Sequence, residues 1–155
     1  MRNNTLLPQG LVQPGKNFSG LMELYESNYI RLRRLIPEIT QIEESVSRVD
    51  HCLDLHVQVV ERCPYTTMLR LTYAFKDAQN SVLLEPDLHL RIYHDARTAE
   101  AQSRCLRHQK GQLTVTDHSS LRAKRHLNRF LSKWLGYCLA RGHQFNQESA
   151  KSGVF

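Results

Sequence analysis

Long apolar runs are missing from the sequence, and no segment approaches the roughly 18–20 apolar residues that a membrane-spanning helix needs. The first residues also lack the continuous apolar stretch of a secretory signal. Their glycine, proline, glutamine and asparagine predict a flexible arm. These absences predict a cytoplasmic protein without a membrane segment. We divide the 155 residues into an arm at 1–16, a single domain at 17–143 and a tail at 144–155.

Cysteine is scarce, and its four positions share no motif. The cysteines are Cys52, Cys63, Cys105 and Cys138. They form no CxxC pair and show no spacing typical of zinc ligands. Three of them lie within apolar patterns, where cysteine behaves as a small hydrophobic residue. We therefore expect reduced thiols, no metal site and no cofactor.

Recognisable catalytic motifs are also absent. The sequence contains no GxSxG nucleophile motif, no glycine-rich phosphate loop and no HExxH zinc motif. This absence favours a non-enzymatic protein, and no catalytic residue is assigned. A hydrolase that acts on a phosphorylated substrate remains a third hypothesis, with His94 as its candidate residue.

Acidic residues are nearly missing from the C-terminal part of the chain, where Asp117 is the single acid between residues 101 and 143. The whole chain has a net charge of +6 and a pI near 9.4. Four basic residues in this part follow one another at helical spacing: Arg122, Arg125, Arg129 and Lys133. Such a stripe is typical of a phosphate-binding surface. The solvated face of a docked helix has the same composition, so both interpretations stay open.

The apolar pattern predicts one helix near each end of the domain. In residues 19–36 apolar side chains recur every three or four positions, with Ser19 as N-cap and Pro37 as stop signal. The same spacing fills residues 127–138, and Gly142 follows as a C-terminal stop. Candidate N-caps of this second helix are Asp117, Ser119 and Ser120. Each helix therefore has one apolar face to bury.

Between the helices the apolar period changes to two, which is typical of half-buried strands. Polar turns separate four such segments, and a shorter fifth segment follows. The segments are residues 52–61, 65–75, 84–95, 97–105 and 112–117. Strands that are grouped together, rather than alternating with helices, predict an α+β fold. We expect an antiparallel sheet of four to five strands, with the N-terminal helix and the long C-terminal helix packed on one face.

The same alternation assigns a set of polar residues to the sheet face away from the helices. If the strands pair in chain order, this polar sheet face carries His56, Arg70, His89, Arg91, Tyr93 and Glu100. Basic side chains and a tyrosine on one surface are suited to an anionic ligand. An ordinary solvated face is the other interpretation. The alternation also places Arg104 on the polar sheet face and Cys105 on the apolar face.

His94 and Asp95 stand side by side where one predicted strand ends and the next begins. An aspartate can orient a histidine for acid–base catalysis. Aspartate also stabilises turns, because its carboxylate accepts hydrogen bonds from its own backbone. The position between two alternating segments favours the turn.

Four stretches of the chain resemble a known family: NYIRLRRLIP, CPYTTMLRL, LRIYHDARTAEA and HLNRFLSKWLGYCLARG. They are similar to the YqiB-like family, a group of uncharacterised small proteobacterial proteins classed as a domain of unknown function. The resemblance covers residues 19–143 and implies no reaction, cofactor or catalytic residue. Genes of the family often lie near genes of enzymes that handle cyclic AMP and ADP-ribose, which implies a nucleotide-related role.

The leading hypothesis is a non-enzymatic cytoplasmic module that binds an anionic small ligand or a protein partner and has a regulatory role. The alternative is a nucleic-acid-binding accessory protein that uses the basic helix face. The first hypothesis requires the polar sheet face to form a pocket. The second requires an exposed stripe of cations.

Overall fold

The computed structural model describes residues 18–107, 113–115 and 120–146, and the predicted arm at 1–16 lies outside them. Along the chain, these residues form one helix, then six strands and then a second helix. The elements are α1 (Phe18–Leu35), β1 (Glu44–Ser47), β2 (Asp54–Cys63), β3 (Thr66–Lys76), β4 (Val82–Tyr93), β5 (Thr98–Arg107), β6 (Leu113–Val115) and α2 (Leu121–Ala140). The α+β class that the sequence predicted is confirmed.

The strands form one antiparallel sheet in chain order, from β1 at one edge to β6 at the other. The four predicted strands and the shorter fifth correspond to β2–β6. The additional strand, β1, has the sequence ESVS. A single apolar residue in four gives no alternating pattern, so the sequence could not reveal this strand.

Both helices cover the apolar face of the sheet. Leu71 of β3 and Leu90 of β4 are fully buried beneath them. Leu32 of α1 and Leu131 and Leu135 of α2 belong to the same core. Removing apolar surface from water contributes about 25 cal/mol per Å², and this burial keeps the two helices on the same side of the sheet.

The ends of α2 follow the predicted signals. Ser120 is the N-cap, and its Oγ accepts a hydrogen bond from the N–H of Ala123 at 3.0 Å. Gly142 has a φ of 94°, which glycine adopts without strain, just after the helix ends. The chain then turns back, and the N–H of Phe145 donates to the carbonyl of Leu35 at 2.8 Å. Phe145 is buried in the core, whereas the sequence pattern assigned it to the tail.

A buried asparagine attaches α2 to the edge of β5. The Asn128 side chain accepts a hydrogen bond from the N–H of Ala101 at 2.7 Å and donates to the carbonyl of Ala101 at 3.3 Å. It therefore takes the place of a neighbouring strand for backbone groups that water does not reach. Asn28 of α1, also fully buried, donates to the backbone carbonyl of Asn128 at 3.4 Å. One residue thus connects both helices and the sheet.

Three irregularities in strand pairing change the side of the sheet that a residue faces. A regular strand alternates sides, and one extra residue in a bulge moves all later residues to the opposite side. In β2 the shift lies between Val59 and Glu61, and in β5 it lies between Ala101 and Ser103. The third shift lies in β4, opposite Tyr73. Simple alternation along the sequence fails beyond each of these points.

The bulge in β5 overturns one prediction from the sequence. Arg104 pairs with Leu88, which faces the helices, so Arg104 also lies on the helix side. Cys105 takes the polar side, the reverse of the predicted arrangement. The Arg104 guanidinium lies 4.5 Å from the centroid of the Phe130 ring in α2. A cation is attracted to the electron-rich face of such a ring, which stabilises Arg104 in this position.

We predict that Asn128→Ala destabilises the fold, because it leaves both backbone groups of Ala101 buried without partners. Each such group costs roughly 1–3 kcal/mol, so the free energy of unfolding should fall by about 3 kcal/mol. Urea denaturation followed by circular dichroism measures the change. The control is Arg129→Ala on the exposed side of α2, which should change stability by less than about 0.5 kcal/mol. Equal stability of the two variants would contradict the role of Asn128.

Candidate functional site

The polar sheet face contains all six residues that the sequence placed there. They are His56, Arg70, His89, Arg91, Tyr93 and Glu100. The register pairs Arg70 with His89, and Arg91 with Glu100, directly across neighbouring strands. Residues paired in this way point to the same side of an antiparallel sheet. The expected pairing in chain order is therefore confirmed. Four of the six residues form two groups, and Arg91 and His89 lie between these groups.

The first group surrounds Glu100 of β5. Its Oε1 accepts hydrogen bonds from the Tyr93 hydroxyl at 3.0 Å and from the Gln102 amide at 3.3 Å. Burial, reinforced by the Glu100 carboxylate, raises the pKa of Tyr25 in α1 well above its ordinary value. Tyr25 therefore stays protonated as a donor beside this carboxylate. Tyr93 and Glu100 bond to each other and to their neighbours, which favours a structural role at the junction of β4, β5 and α1.

Two further predicted residues lie beside this group. Arg91 is half-buried, and one of its terminal nitrogens lies 3.5 Å from the sulfur of Met68. His89 is also half-buried, between Arg70 on β3 and Ser103 on β5. Both residues therefore occupy the stretch of the polar sheet face between the Glu100 group and the cavity described next.

The second group, His56 and Arg70, lines a cavity of about 320 Å³ on the polar sheet face. The cavity lies at the end of the sheet where β3 passes into β4. Its described lining residues are Arg48, Asp54, His56, Arg70, Ala74, Phe75, Lys76, Val82 and Leu84. Small-molecule sites usually have volumes of roughly 300–1,000 Å³, so this cavity suits a compact ligand. Its walls combine basic and apolar side chains.

The pairing irregularity in β4 supplies the aliphatic wall of the cavity. Regular alternation from Leu88, which faces the helices, would place Leu84 and Val82 on the helix side as well. One extra residue of β4 opposite Tyr73 reverses this order, and Leu84 pairs with Ala74 on the polar side. Without the irregularity, the cavity would lack its two aliphatic side chains from β4.

A bidentate ion pair holds the central basic residue of the cavity. Arg70 Nε lies 2.8 Å from Asp87 Oδ1, and a terminal nitrogen of Arg70 lies 2.7 Å from Oδ2. Asp87 is buried, and its hydrogen-bonded carboxylate raises the pKa of Arg70 further. A planar guanidinium matches the two carboxylate oxygens, so Asp87 fixes the orientation of Arg70 at the cavity wall.

Lys76 and Arg48 bring additional positive charge to the cavity. Arg48 Nε lies 3.3 Å from Asp54 Oδ2, and both side chains are largely exposed, so this pair stabilises little. Lys76 is exposed and forms no ion pair with any described residue. With Arg70 and Asp87, three cations face two carboxylates. One net positive charge remains, and the Lys76 ammonium group is the cation of the cavity without an ion-pair partner among the described residues.

His56 lines the cavity as a neutral side chain. Only 5% of its surface is exposed, and burial lowers its pKa despite the nearby Asp54 carboxylate. A protonated imidazole would lose most of its hydration at this position. At neutral pH, His56 therefore adds a polar group to the cavity and no positive charge.

The neighbouring residues His94 and Asp95 lie in the turn at 94–97, as the sequence predicted. His94 Nε2 is 2.7 Å from the hydroxyl of Thr67, and its backbone N–H donates to the carbonyl of Tyr65 at 2.9 Å. Asp95 is exposed. His94 therefore connects the turn to the start of β3, and Asp95 does not orient its ring through any hydrogen bond in the described part of the chain.

The four basic residues of the C-terminal helix lie on the outer face of α2. Arg122, Arg129 and Lys133 are exposed, and Arg125 is half-buried. α2 packs on the apolar face of the sheet, whereas the cavity opens on the polar sheet face. The two groups of predicted binding residues are therefore on opposite sides of the sheet.

Some cavity residues were not singled out from the sequence. Asp54 and Lys76 share the two-residue period of His56 and Arg70, and this period would have identified them. Leu84 and Val82 could not be found in this way, because the extra residue between Leu84 and Asp87 reverses their side relative to the rest of β4.

A second buried histidine lies where the chain leaves α2. His143 Nδ1 is 2.9 Å from Ser47 Oγ, and the same oxygen accepts the N–H of Gln144 at 3.2 Å. The Ser47 hydroxyl is thus suited to donate its hydrogen to Nδ1, which requires a neutral imidazole. Burial lowers the pKa of His143 and favours that same neutral form. This contact attaches the segment after α2 to β1.

The four cysteines are free thiols. Burial raises the pKa of Cys138 to about 11 and also raises the pKa of Cys105, so both thiols stay protonated and unreactive. Among the described residues, no cluster of three histidine, cysteine or acidic side chains could hold a metal ion. Within the same ranges, neither helix has the length and apolar character needed to cross a membrane.

Comparison with known proteins gives a family without an assigned activity. The model of the family described as "Protein of unknown function (DUF1249)" matches residues 31–144. The chain belongs to this family. It is also 32% identical over 129 residues to "Uncharacterized protein YqiB" of Escherichia coli strain K12, a match that covers 81% of this chain and 91% of that protein.

The proteins of the same name from Escherichia coli O6:H1 strain CFT073 and from Escherichia coli O157:H7 have the same identity and coverage. The resemblance to the YqiB-like family is therefore confirmed. No solved structure gives a significant match.

We predict that Arg70→Met is strongly destabilising, because it leaves the buried Asp87 carboxylate without its cation. The free energy of unfolding should fall by about 3 kcal/mol, the scale expected when one partner of a buried pair is removed. Urea denaturation measures the effect. The control Arg48→Met breaks the exposed contact with Asp54 and should cost less than about 1 kcal/mol.

The double variant Arg70→Met/Asp87→Leu tests the cause of that loss. It removes the stranded charge and should recover most of the stability lost in Arg70→Met. If the double variant loses as much free energy of unfolding as the two single variants lose together, Arg70 and Asp87 act independently.

We predict that stability decreases as the pH falls below about 6.5, the ordinary pKa of histidine. Burial lowers the pKa values of His56, His94 and His143 in the folded state. The unfolded chain therefore takes up protons first, and stability is lost as the pH falls through the lowered folded-state values. Urea denaturation at pH 7.5 and pH 5.5 measures the difference. His143→Asn should make this difference smaller, and an unchanged difference would contradict the contribution of His143.

Proposed function

We propose that the protein is a binding module for a small anion that carries an apolar group, with a regulatory rather than a catalytic role. One observation carries the proposal: a cavity of about 320 Å³ brings basic residues and aliphatic side chains together on the polar sheet face. Such a combination is typical of ligand pockets, where apolar walls supply affinity and a few polar groups fix orientation.

The charge of the ligand follows from the basic residues. Asp87 already holds Arg70 in a fixed orientation and balances its charge, so Arg70 gives the site direction and Lys76 supplies the net positive charge. Lys76 is mobile by comparison, since an exposed lysine has several rotatable bonds, and can close on a bound anion. A carboxylate or a phosphate ester matches both residues.

The apolar side chains on the opposite wall of the cavity indicate that the ligand carries an apolar group. Val82 and Leu84 line the same cavity, and contact with them removes apolar surface of the ligand from water. The excluded water also strengthens the ionic contact, because the effective dielectric constant falls. An anion without an apolar group would use only half of the site.

The described lining residues favour binding over covalent catalysis. They include no serine, threonine or cysteine, so the hydroxyl and thiol nucleophiles of covalent catalysis are absent from the described lining. His94, the residue of the hydrolase hypothesis, bonds to Thr67 at the turn between β4 and β5 instead. The cytoplasmic location and a protein partner remain predictions from the sequence.

Isothermal titration calorimetry with phenyl phosphate tests the proposal. Phenyl phosphate combines an anion with an apolar ring and should bind more tightly than inorganic phosphate. AMP and 3′,5′-cyclic AMP, measured in parallel, test the nucleotide-related role that the family resemblance implied. Lys76→Ala should weaken binding about fivefold, the effect of losing one exposed ionic contact of about 1 kcal/mol.

Lys124→Ala is the matched control, because Lys124 is an exposed lysine of α2 on the other side of the sheet. It should bind phenyl phosphate like the unmodified protein. Ala74→Phe should block the cavity and abolish binding. The proposal fails if none of the four anions binds at millimolar concentration, or if Ala74→Phe binds normally.

A further inference from the structure

The outer face of α2 carries cations and no acids. The helix, Leu121–Ala140, contains no aspartate or glutamate. Its cations are Arg122, Lys124, Arg125, Arg129 and Lys133. Four of them form the basic stripe, defined as Arg122, Arg125, Arg129 and Lys133, which extends for about 16 Å at 1.5 Å per residue.

This arrangement opposes the stability of the helix itself. Arg122 and Lys124 lie in the first turns, where the helix dipole is positive and favours acidic residues. Arg125, Arg129 and Lys133 follow one another at four-residue spacing, and like charges at this spacing destabilise a helix. Every position of the stripe therefore has an unfavourable charge for an isolated solvated helix.

Three cations of the stripe, Arg122, Arg129 and Lys133, form no ion pair with another described residue. In the described part of the chain, the ion pairs are Arg48–Asp54, Arg62–Glu43, Arg70–Asp87 and Arg104–Glu85. None of them involves Arg122, Arg129 or Lys133. The helix is held instead by its buried face, which includes Leu131 and Trp134.

A solvated helix face that serves solubility alone normally mixes charges of both signs. Charges that destabilise a helix and have no compensating contact are expected at functional surfaces. Arg122, Arg129 and Lys133 carry such charges, and an anionic partner would remove their cost by neutralising them.

The regular spacing of the stripe suits a polymer that carries negative charges at regular intervals. Four residues correspond to about 6 Å along the helix axis, so Arg125, Arg129 and Lys133 present evenly spaced cations in a row. Consecutive phosphates of an extended nucleic-acid strand are comparably spaced. A small ligand with one or two charges would leave most of the stripe unused.

An exposed aromatic ring continues the row. Tyr137 lies four residues after Lys133, and 51% of its surface is exposed. The Arg141 guanidinium lies 6.0 Å from the centroid of the Tyr137 ring. Bases of a single strand stack on exposed aromatic side chains, and nearby arginines strengthen this contact. In a duplex the bases are already stacked on each other, so a single strand fits this surface better.

We propose that the outer face of α2 binds single-stranded nucleic acid, with the basic stripe on the phosphate backbone and Tyr137 stacked against a base. This surface lies on the helix side of the sheet and shares no residue with the cavity on the polar sheet face. The proposal therefore stands independently of the small-anion site.

Fluorescence anisotropy with a labelled twelve-residue oligo(dT) and the matching oligo(U), at 50 and 200 mM KCl, tests this surface. The test variant is Arg129→Gln/Lys133→Gln. The matched control is Arg34→Gln/Arg97→Gln, which removes the same charge from exposed arginines outside α2. Circular dichroism verifies that each variant is folded.

We expect binding that weakens with salt, because phosphate contacts release counterions. The test variant should bind at least about tenfold more weakly, and its slope of log K against log salt should be shallower by about 1.4, since each contact on a single strand contributes about 0.7. The control should keep most of the affinity and the full slope. Tyr137→Ala should weaken binding about fivefold without changing the slope.

Three results would overturn the proposal. One is no binding at 50 mM KCl, and another is an equal loss in the test and control variants. The third is polyglutamate binding as tight as oligonucleotide binding together with no effect of Tyr137→Ala, which would assign the stripe to an acidic protein. Lys76→Ala should leave oligonucleotide binding intact, so this proposal and the small-anion site can fail separately.

Discussion

Three strands of the sheet each contain one extra residue. The positions of these extra residues determine which side chains lie on each face of the sheet. An antiparallel sheet alternates its side chains, and the two helices bury one side of it. Each bulge reverses the alternation between the residues before it and the residues after it in that strand. In β4 the reversal brings Leu84 to the polar sheet face, and in β5 it turns Arg104 toward α2. In β2 it turns Arg62 to the helix side, where one of its terminal nitrogens donates to the carbonyl of Ile39 at 3.0 Å.

Buried polar groups then connect the elements that the apolar core brings together. Asn128 satisfies both backbone groups of Ala101 and links α2 to β5. Asp87 fixes Arg70 by two hydrogen bonds. Apolar contacts are not directional, whereas a buried polar group without its partner costs free energy. These few hydrogen bonds therefore define the geometry, and the core supplies most of the stability.

The charges of the protein are organised differently on the two sides of the sheet. On the polar sheet face, cations and carboxylates nearly balance, as in the pair of Arg70 and Asp87, and Lys76 adds the remaining charge. On the outer face of α2, the cations Arg129 and Lys133 have no acid on their helix. A nearly balanced, partly enclosed site suits a small anion, whereas an unbalanced open row suits a polymer. This difference in charge separates the two proposed ligands.

The sequence by itself determined the α+β class, both helices and the placement of the six predicted residues on the polar sheet face, since residues such as Arg70 and His89 lie within regular stretches of alternation. Tertiary structure alone decided the side of Arg104, the aliphatic wall with Leu84 and the neutral state of His56. A bulge depends on how a strand pairs with its neighbour, which the period of one strand does not specify. The pKa of a histidine depends on burial by residues distant in the chain. Local periodicity therefore predicts elements and faces, but the cavity follows from how the strands pair.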